Sequence, residues 1–519
     1  MLSFVRPGRV ILLFLLAVGI LAARPLDYAT IHAMPKSVEK DYYLWRYLSS
    51  SKATRSEAEK LIREAKRING KLAKAYRKKT GHKPPKHIGR RHKPLTAAQK
   101  KAIAQKKAVT LALLKSDNPW QRWLQLSPAM QVYVLNHAGT TGRRQLDHQI
   151  TPELFARLST QYGFNETIRR IRHERLPEWS KALLYPPAKK HRLTHRTLLA
   201  LGFNALHRGK PAIGEMYFRL AAQKSVKREE VDQALFWAYM SRRNTSYLHK
   251  LTHSYDINLY TLLARDILHL KYPRTITPTL PKGHLLSRTI SDPIAWAKLK
   301  KKIFDKKVDK RALAKHYREA DAVGYYSYIL SKASRDTEQY FPMPYRDLLA
   351  KLPKSRQAIL YAIARQESRF VPASISTSYA LGMMQIMPFL VRHLAKKRHE
   401  KVNYDAMFDP RKALIYANDH MAYLTKWLKH PLFIAYAYNA GIGYTRRLIR
   451  KKHLFNGKGP YEPYLSLELV DNAQARHYGK HVLTNYVIYM NKLGTPLRMT
   501  DLLSFIHEPK KTDNFRKRK

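Results

Sequence analysis

Over most of the chain, hydrophobic positions recur at steps of three and four rather than two. Between about 108 and 335 the pattern runs helix after helix, as in Leu199, Phe203 and Leu206, then Met216, Tyr217, Leu220 and Ala221. This is the spacing of one face of an α-helix. Strand-like alternation is scarce and runs rich in Val and Ile are few. Short helices joined by short polar turns predict an all-α chain built of stacked helical pairs, although the repeats are too degenerate to assign a period. The segment Ala234-Leu-Phe-Trp-Ala238 reads as the inner helix of such a pair, with its aromatics in the core. Residues 24–75 are also helical in phase, with Lys, Arg and Glu between apolar positions.

Several stretches break this rhythm. Arg6 and Arg9 precede an unbroken apolar run from Val10 to Ala23. That arrangement predicts a signal peptide over 1–23, and the run is short for a membrane span of about 20 residues. Leu21 stands where a cleavage site prefers a small residue, so an uncleaved leader that ties the chain to the membrane, and to envelope complexes there, stays open. Residues 77–107 carry many Lys and Arg, no acid, and Pro84, Pro85 and Pro94. Such a composition predicts a mobile basic loop, either a solvated tether or an arm that grips polyanions. The run Phe341-Pro-Met-Pro-Tyr345 disfavours helix and sets a domain boundary near 340. A helical domain over 24–340, a compact and mostly helical unit over 341–505, and a polar tail over 506–519 follow.

The candidate chemistry lies just past that boundary. Ser355 is a plausible helix N-cap, and Pro372 predicts that the helix ends near Val371. Ile359, Ile363 and Glu367 fall at i, i+4 and i+8, with Leu360 and Ala364 beside them. Glu367 therefore sits on the apolar face, close to the helix C-terminus. Burial and the negative end of the helix dipole both raise the pKa of a carboxylate there, which suits a general acid. A structural Glu held by hydrogen bonds or a partner fits the same position. After Glu367 the next acids are Glu400, Asp405, Asp409 and Asp419, so none of them lies in the motif segments flanking it.

Composition narrows the partners. The chain has 519 residues, long enough for about two to four domains, with 97 Lys+Arg against 37 Asp+Glu and a formal charge of +60. A surface this basic attracts polyanions: nucleic acid, anionic membranes or anionic wall polymers. An exported chain makes nucleic acid an unexpected partner. The absence of cysteine excludes disulfides, thiolate metal sites and cysteine nucleophiles. The histidines form no metal cluster by spacing. His477 and His481 are four apart, and a surface or groove position suits them better than zinc. No metal or cofactor is expected.

Three runs then stand in order: Glu367-Ser368, Gly382-Met-Met-Gln-Ile-Met-Pro388 and Ala437-Tyr-Asn-Ala-Gly441. Together they resemble the signature motifs of the soluble lytic murein transglycosylase family over about 345–500. The run Gln474-Ala-Arg-His-Tyr-Gly-Lys-His-Val-Leu483 is similar to that family's closing helix. The resemblance implies a lysozyme-like, α-rich catalytic domain following a helical superdomain, and peptidoglycan glycan strands as the substrate. It implies Glu367 as the catalytic acid/base, with Ser376, Gln385, Met387, Tyr438 and Asn439 binding substrate, and no cofactor. The implied reaction is non-hydrolytic cleavage of the MurNAc–GlcNAc bond to 1,6-anhydroMurNAc ends, in the periplasm. Substrate assistance is a known exception to the two-carboxylate pattern of glycosidases, which a lone acid would need. Three positions depart from the family: Tyr379 stands for a usual glycine, Met383 for Leu, and Gln474 for a groove-facing Glu, where it can still bind substrate by hydrogen-bonding a sugar but brings no charge. A hydrolase of goose-type lysozyme shape and a non-enzymatic, glycan-binding envelope scaffold remain alternatives.

Overall fold

The structure, a computed structural model, describes residues 25–85, 95–174, 176–283 and 287–516. The expected leader lies outside these residues, as does the middle of the basic stretch. Among the described residues, regular structure is helical throughout, and β-pairing is limited to isolated bridges such as Ile276 with Tyr340. No described helix is long and apolar enough to cross a membrane. The packing separates two compact units.

One unit comprises Met1–Ile88, Leu285–Lys300 and Pro372–Ala413. Its helices α1 (Val38–Leu48) and α2 (Gly70–Thr80) pack together. Ser37 caps α1 by accepting from Lys40 N at 3.0 Å. Asn69 Oδ1 caps α2 by accepting from Leu72 N at 2.9 Å. Such side-chain caps satisfy amide donors that the helix leaves unpaired.

The other unit comprises Gly89–His284, Lys301–Val371 and Leu414–Lys519. Here α3 (His195–His207), α4 (Pro211–Lys224), α5 (Arg228–Arg242), α6 (Ser246–Thr252) and α7 (Leu259–Ile267) each pack on the next. This is the stacking that the three-and-four rhythm predicts. Phe236 and Trp237 of α5 are fully buried, as core aromatics. A second group holds α8 (Lys354–Ser368), α9 (Pro431–Ala440) and the long α10 (Ala473–Lys492), followed by α11 (Met499–Ser504). Helix α10 packs against both α8 and α9. A buried ion pair ties α10 to the array: Lys480 Nζ donates to Glu468 Oε2 at 2.7 Å, and Tyr260 and Trp237 donate to Glu468 Oε1. A buried carboxylate is tolerable when it is paired and hydrogen-bonded on every side.

Two polar stretches are more ordered than their composition predicts. Helix covers 97–107, within Ala97–Leu114, and α2 reaches Thr80. Thr96 and Gln99 form a reciprocal cap at the start of the former, and Ala, Lys and Gln are strong helix formers even where they bury little. The tail is docked as far as Arg516. Arg516 donates to the backbone oxygens of Phe455 and Ile506, and Phe515 stacks on Trp427 at 5.4 Å.

Candidate active site

Helix α8 places Glu367. It begins one residue before the expected cap, at Lys354 behind Pro353, and ends three residues earlier than Pro372 predicts. Arg369 (φ +54°) and Phe370 (φ +66°) turn left-handed there, and Arg369 is held by Ser331 Oγ at 2.9 Å and Asp336 Oδ1 at 2.8 Å. Ile359 and Ile363 are buried on the same helical face, as expected. The Glu367 side chain keeps partial access to solvent while protein surrounds it on most sides.

Burial pushes the Glu367 carboxyl up to about 7. Working against that, Tyr478 Oη donates to Glu367 Oε1 at 2.7 Å. Tyr438 completes the cluster: the hydroxyls of both tyrosines are held well above their usual range by burial and then by the nearby Glu367. The Tyr438 ring also lies 5.6 Å from the ring of His420. No second carboxylate acts on Glu367 among the described residues. Arg365, two residues earlier, points elsewhere. It donates to Tyr340 O at 2.9 Å and Asn485 Oδ1 at 2.6 Å, over the Phe341 ring.

The approach of α9 to α10 brings the two tyrosines to one carboxylate, and it depends on Gly479. A Cβ there would stand 2.2 Å from the Tyr436 ring, and Tyr436 is itself fully buried. Asn439 follows Tyr438 at the end of α9, partly exposed. Gln474 lies exposed one turn before Tyr478 on α10. Tyr478 was not singled out from the sequence. Its spacing of four from Gln474 was the available signal.

Ser376, Gln385 and Met387 belong to the other unit, in the loop that runs into the helix Pro388–Lys397. Ser376 closes a tight turn, with its Oγ accepting from Ala380 N at 2.9 Å and its carbonyl accepting from Tyr379 N at 2.9 Å. Leu381 and Ile386 exchange backbone hydrogen bonds. Between them Gly382 (φ +74°) lies so close to Met407 that a Cβ would stand 1.8 Å from its carbonyl oxygen, a position open only to glycine. Gln385 turns its amide inward, with Nε2 donating to Ser374 O at 3.1 Å and Gly382 O at 2.8 Å. It braces the loop, while Met387 stays partly exposed.

Tyr379, the departure from glycine, does adopt the left-handed conformation, at φ +61°. A side chain there is strained unless its surroundings hold it, and the N-terminal helices do so. The buried Tyr379 ring stacks on Trp45 at 5.5 Å and meets Tyr42 edge-on at 6.0 Å. Lys71 Nζ donates to Ser378 O and Asn69 Nδ2 to Thr377 O, each at 2.8 Å. Asn69 thus caps α2 with one side-chain atom and holds the loop with the other.

Residues 349–458 match the family model of the transglycosylase SLT domain. The chain is similar to the soluble lytic murein transglycosylase of Salmonella typhimurium (strain LT2), with 28% identity over 172 residues, 32% of this chain and 26% of that one. It is similar to the soluble lytic murein transglycosylase of Escherichia coli (strain K12), with 29% identity over 173 residues and the same shares. The match therefore spans about a quarter of those relatives' length. Among solved structures, an inactive mutant of the lytic transglycosylase Slt from Pseudomonas aeruginosa aligns at 18% identity and TM-score 0.46, over 89% of this chain and 80% of that one. The 70-kDa soluble lytic transglycosylase of Escherichia coli aligns at 17% and 0.43, over 92% and 84%.

Proposed function

We propose, from the premise that residues 349–458 belong to the transglycosylase SLT domain family, that this chain is a peptidoglycan lytic transglycosylase with Glu367 as its one acid/base. The observation that carries the reading is a lone carboxyl near neutrality, hydrogen-bonded by Tyr478 and flanked by Tyr438. A protonated Glu367 gives its proton to the bridging glycosidic oxygen as the bond from that oxygen to C1 of MurNAc breaks. The N-acetyl group of the substrate supports the developing charge, in place of a protein nucleophile. The carboxylate then takes the proton of the sugar's own 6-hydroxyl, whose oxygen closes on C1. A 1,6-anhydro end forms, no water is consumed, and Glu367 is protonated again.

In this reading Tyr438, Asn439 and Gln474 line the groove near Glu367, Ser376 and Met387 contact the glycan, and Gln385 shapes the loop that carries them. The division into a helical domain up to 340 and a lysozyme-like catalytic domain over 341–505 belongs to the same proposal, as does export to the periplasm. Mass spectrometry of muropeptides released from purified murein tests the reaction. Anhydro ends are expected. Reducing ends would replace the transglycosylase with a hydrolase, and no release at all would favour a glycan-binding scaffold.

A further inference from the structure

A cavity of about 700 Å³ lies away from Glu367. It is a cleft in the unit that holds α7 and α10. Its walls are the segment leaving α7, the last turns of α10 and the segment entering α11. These walls are tied together. Tyr272 Oη donates to Asp266 Oδ2 at 3.0 Å and accepts from Met499 N at 2.8 Å. Thr500 N donates to the same carboxylate oxygen at 2.9 Å, and Asn491 Nδ2 donates to Leu497 O at 2.8 Å.

Lys271, Arg274, Lys492 and Arg498 line this cleft. Among the described residues, none of the four forms an ion pair or donates a side-chain hydrogen bond, although elsewhere the chain pairs many of its cations. Asp266 and Asp501 set two negative charges against these four positive ones, which leaves the cleft with an excess of positive charge. Lys492 is half-buried, and burial together with Arg346 pulls its pKa down. A partly desolvated cation without a counter-ion is costly, and an anion arriving there would repay that cost. Ile488 and Leu497 add an apolar strip between the cations.

We propose that this cleft is a second binding site, for an acidic peptide that carries two or more carboxylates and aliphatic side chains. Cations contributed by three separate segments around an apolar strip suit an extended peptide better than a compact phosphate, which favours converging donors. The cleft begins ten residues along α10 from Tyr478, about 15 Å at the rise of an α-helix. Resting on the function proposed above, the inference is that acidic peptide arms of murein occupy the cleft while a glycan strand lies at Glu367.

Binding and activity separate the two readings. Titration calorimetry on the full chain would compare a synthetic tetrapeptide bearing two carboxylates, its fully amidated analogue and inorganic polyphosphate. The acidic peptide should bind, and should weaken at least tenfold both on amidation and in an Arg274→Glu/Arg498→Glu variant. Both residues are exposed, and an unchanged melting temperature certifies the fold. Equal binding by variant and wild type overturns the site. Polyphosphate that binds as well as the peptide, and loses as much in the variant, overturns the peptide assignment. With intact murein the variant should raise KM several-fold, and with peptide-stripped glycan it should match wild type. An equal loss on both substrates overturns the link to murein. A wild type inactive on both would refute the catalytic proposal and leave the binding result standing.

Discussion

The surroundings of Glu367 and the loop over 374–387 solve the same problem, fixing a few polar groups in place, by opposite means. Glu367, Tyr438 and Tyr478 stand on three long helices whose mutual packing positions them, and the critical device is the missing side chain of Gly479. The loop has no long element of its own. It is held by turns, by the Gln385 amide and by the Trp45 ring, the Asn69 amide and the Lys71 ammonium, some 300 residues upstream. One region is rigid because its helices are buried. The other is as rigid as a distant part of the chain makes it.

Four measurements would break or sharpen this contrast. The largest effect is expected for Glu367→Gln. Murein digestion should fall on the order of 10²–10⁴-fold, the usual contribution of a general acid. The same variant carries a stability signature. The native carboxyl, near 7, holds its proton more tightly than an unfolded Glu near 4.5, so its stabilising effect is complete below about pH 4.5 and is lost as pH rises through about 7. Glu367→Gln should therefore gain roughly 1–3 kcal/mol relative to wild type at pH 8 but not at pH 4, read by thermal melts. Next is Trp45→Ala. It should cost about 2–3 kcal/mol and lower kcat, although Trp45 stands in the other unit from Glu367. Pairing it with Tyr379→Gly tests the cause: a glycine needs no support at φ +61°, so the double variant should lose at least about 1 kcal/mol less than the sum of the singles. Additive losses would make Trp45 an ordinary core residue.

Gly479→Ala should cost about 1–3 kcal/mol by pushing α9 from α10 and should lower activity, whereas helix propensity alone favours Ala. An unchanged Tm would show that the helices give way easily. The smallest change is Tyr478→Phe, which removes one hydrogen bond, worth about 1 kcal/mol. That bond holds the Glu367 pKa down, so the alkaline limb of the pH–rate profile should move to higher pH while kcat falls by about tenfold. A limb that moves to lower pH would refute the assigned role of the hydroxyl.

The same contrast decides how much could be read from the sequence. The phase of Ile359, Ile363 and Glu367 depends on neighbours three and four residues apart, so both the burial of Glu367 and its raised pKa were legible. The stacking of α3 to α7 was legible for the same reason. Tyr478 was within reach of that logic through Gln474. Tyr379 was legible only as a problem: a bulky residue where the backbone asks for glycine. Its solution, Trp45 with Asn69 and Lys71, lies outside any local window. Gln385 fits a groove by motif, yet its amide is spent on the carbonyls of Ser374 and Gly382, each of which also accepts a backbone N–H. The basic stretch and the tail were judged by charge, which says little about helix when Ala, Lys and Gln dominate or when one arginine, Arg516, finds four acceptors.

The separation of 308 residues between Asn69 and Thr377 also has a meaning in time. At roughly 5–20 residues per second of synthesis, α1 and α2 exist for about 15–60 s before the loop they clasp has been made. Through that interval the faces of Tyr42 and Trp45 have no ring from residue 379 to cover them. The clasp can close only after most of the chain has emerged, so it belongs among the last contacts to form, and a chain halted before residue 379 would carry it permanently open.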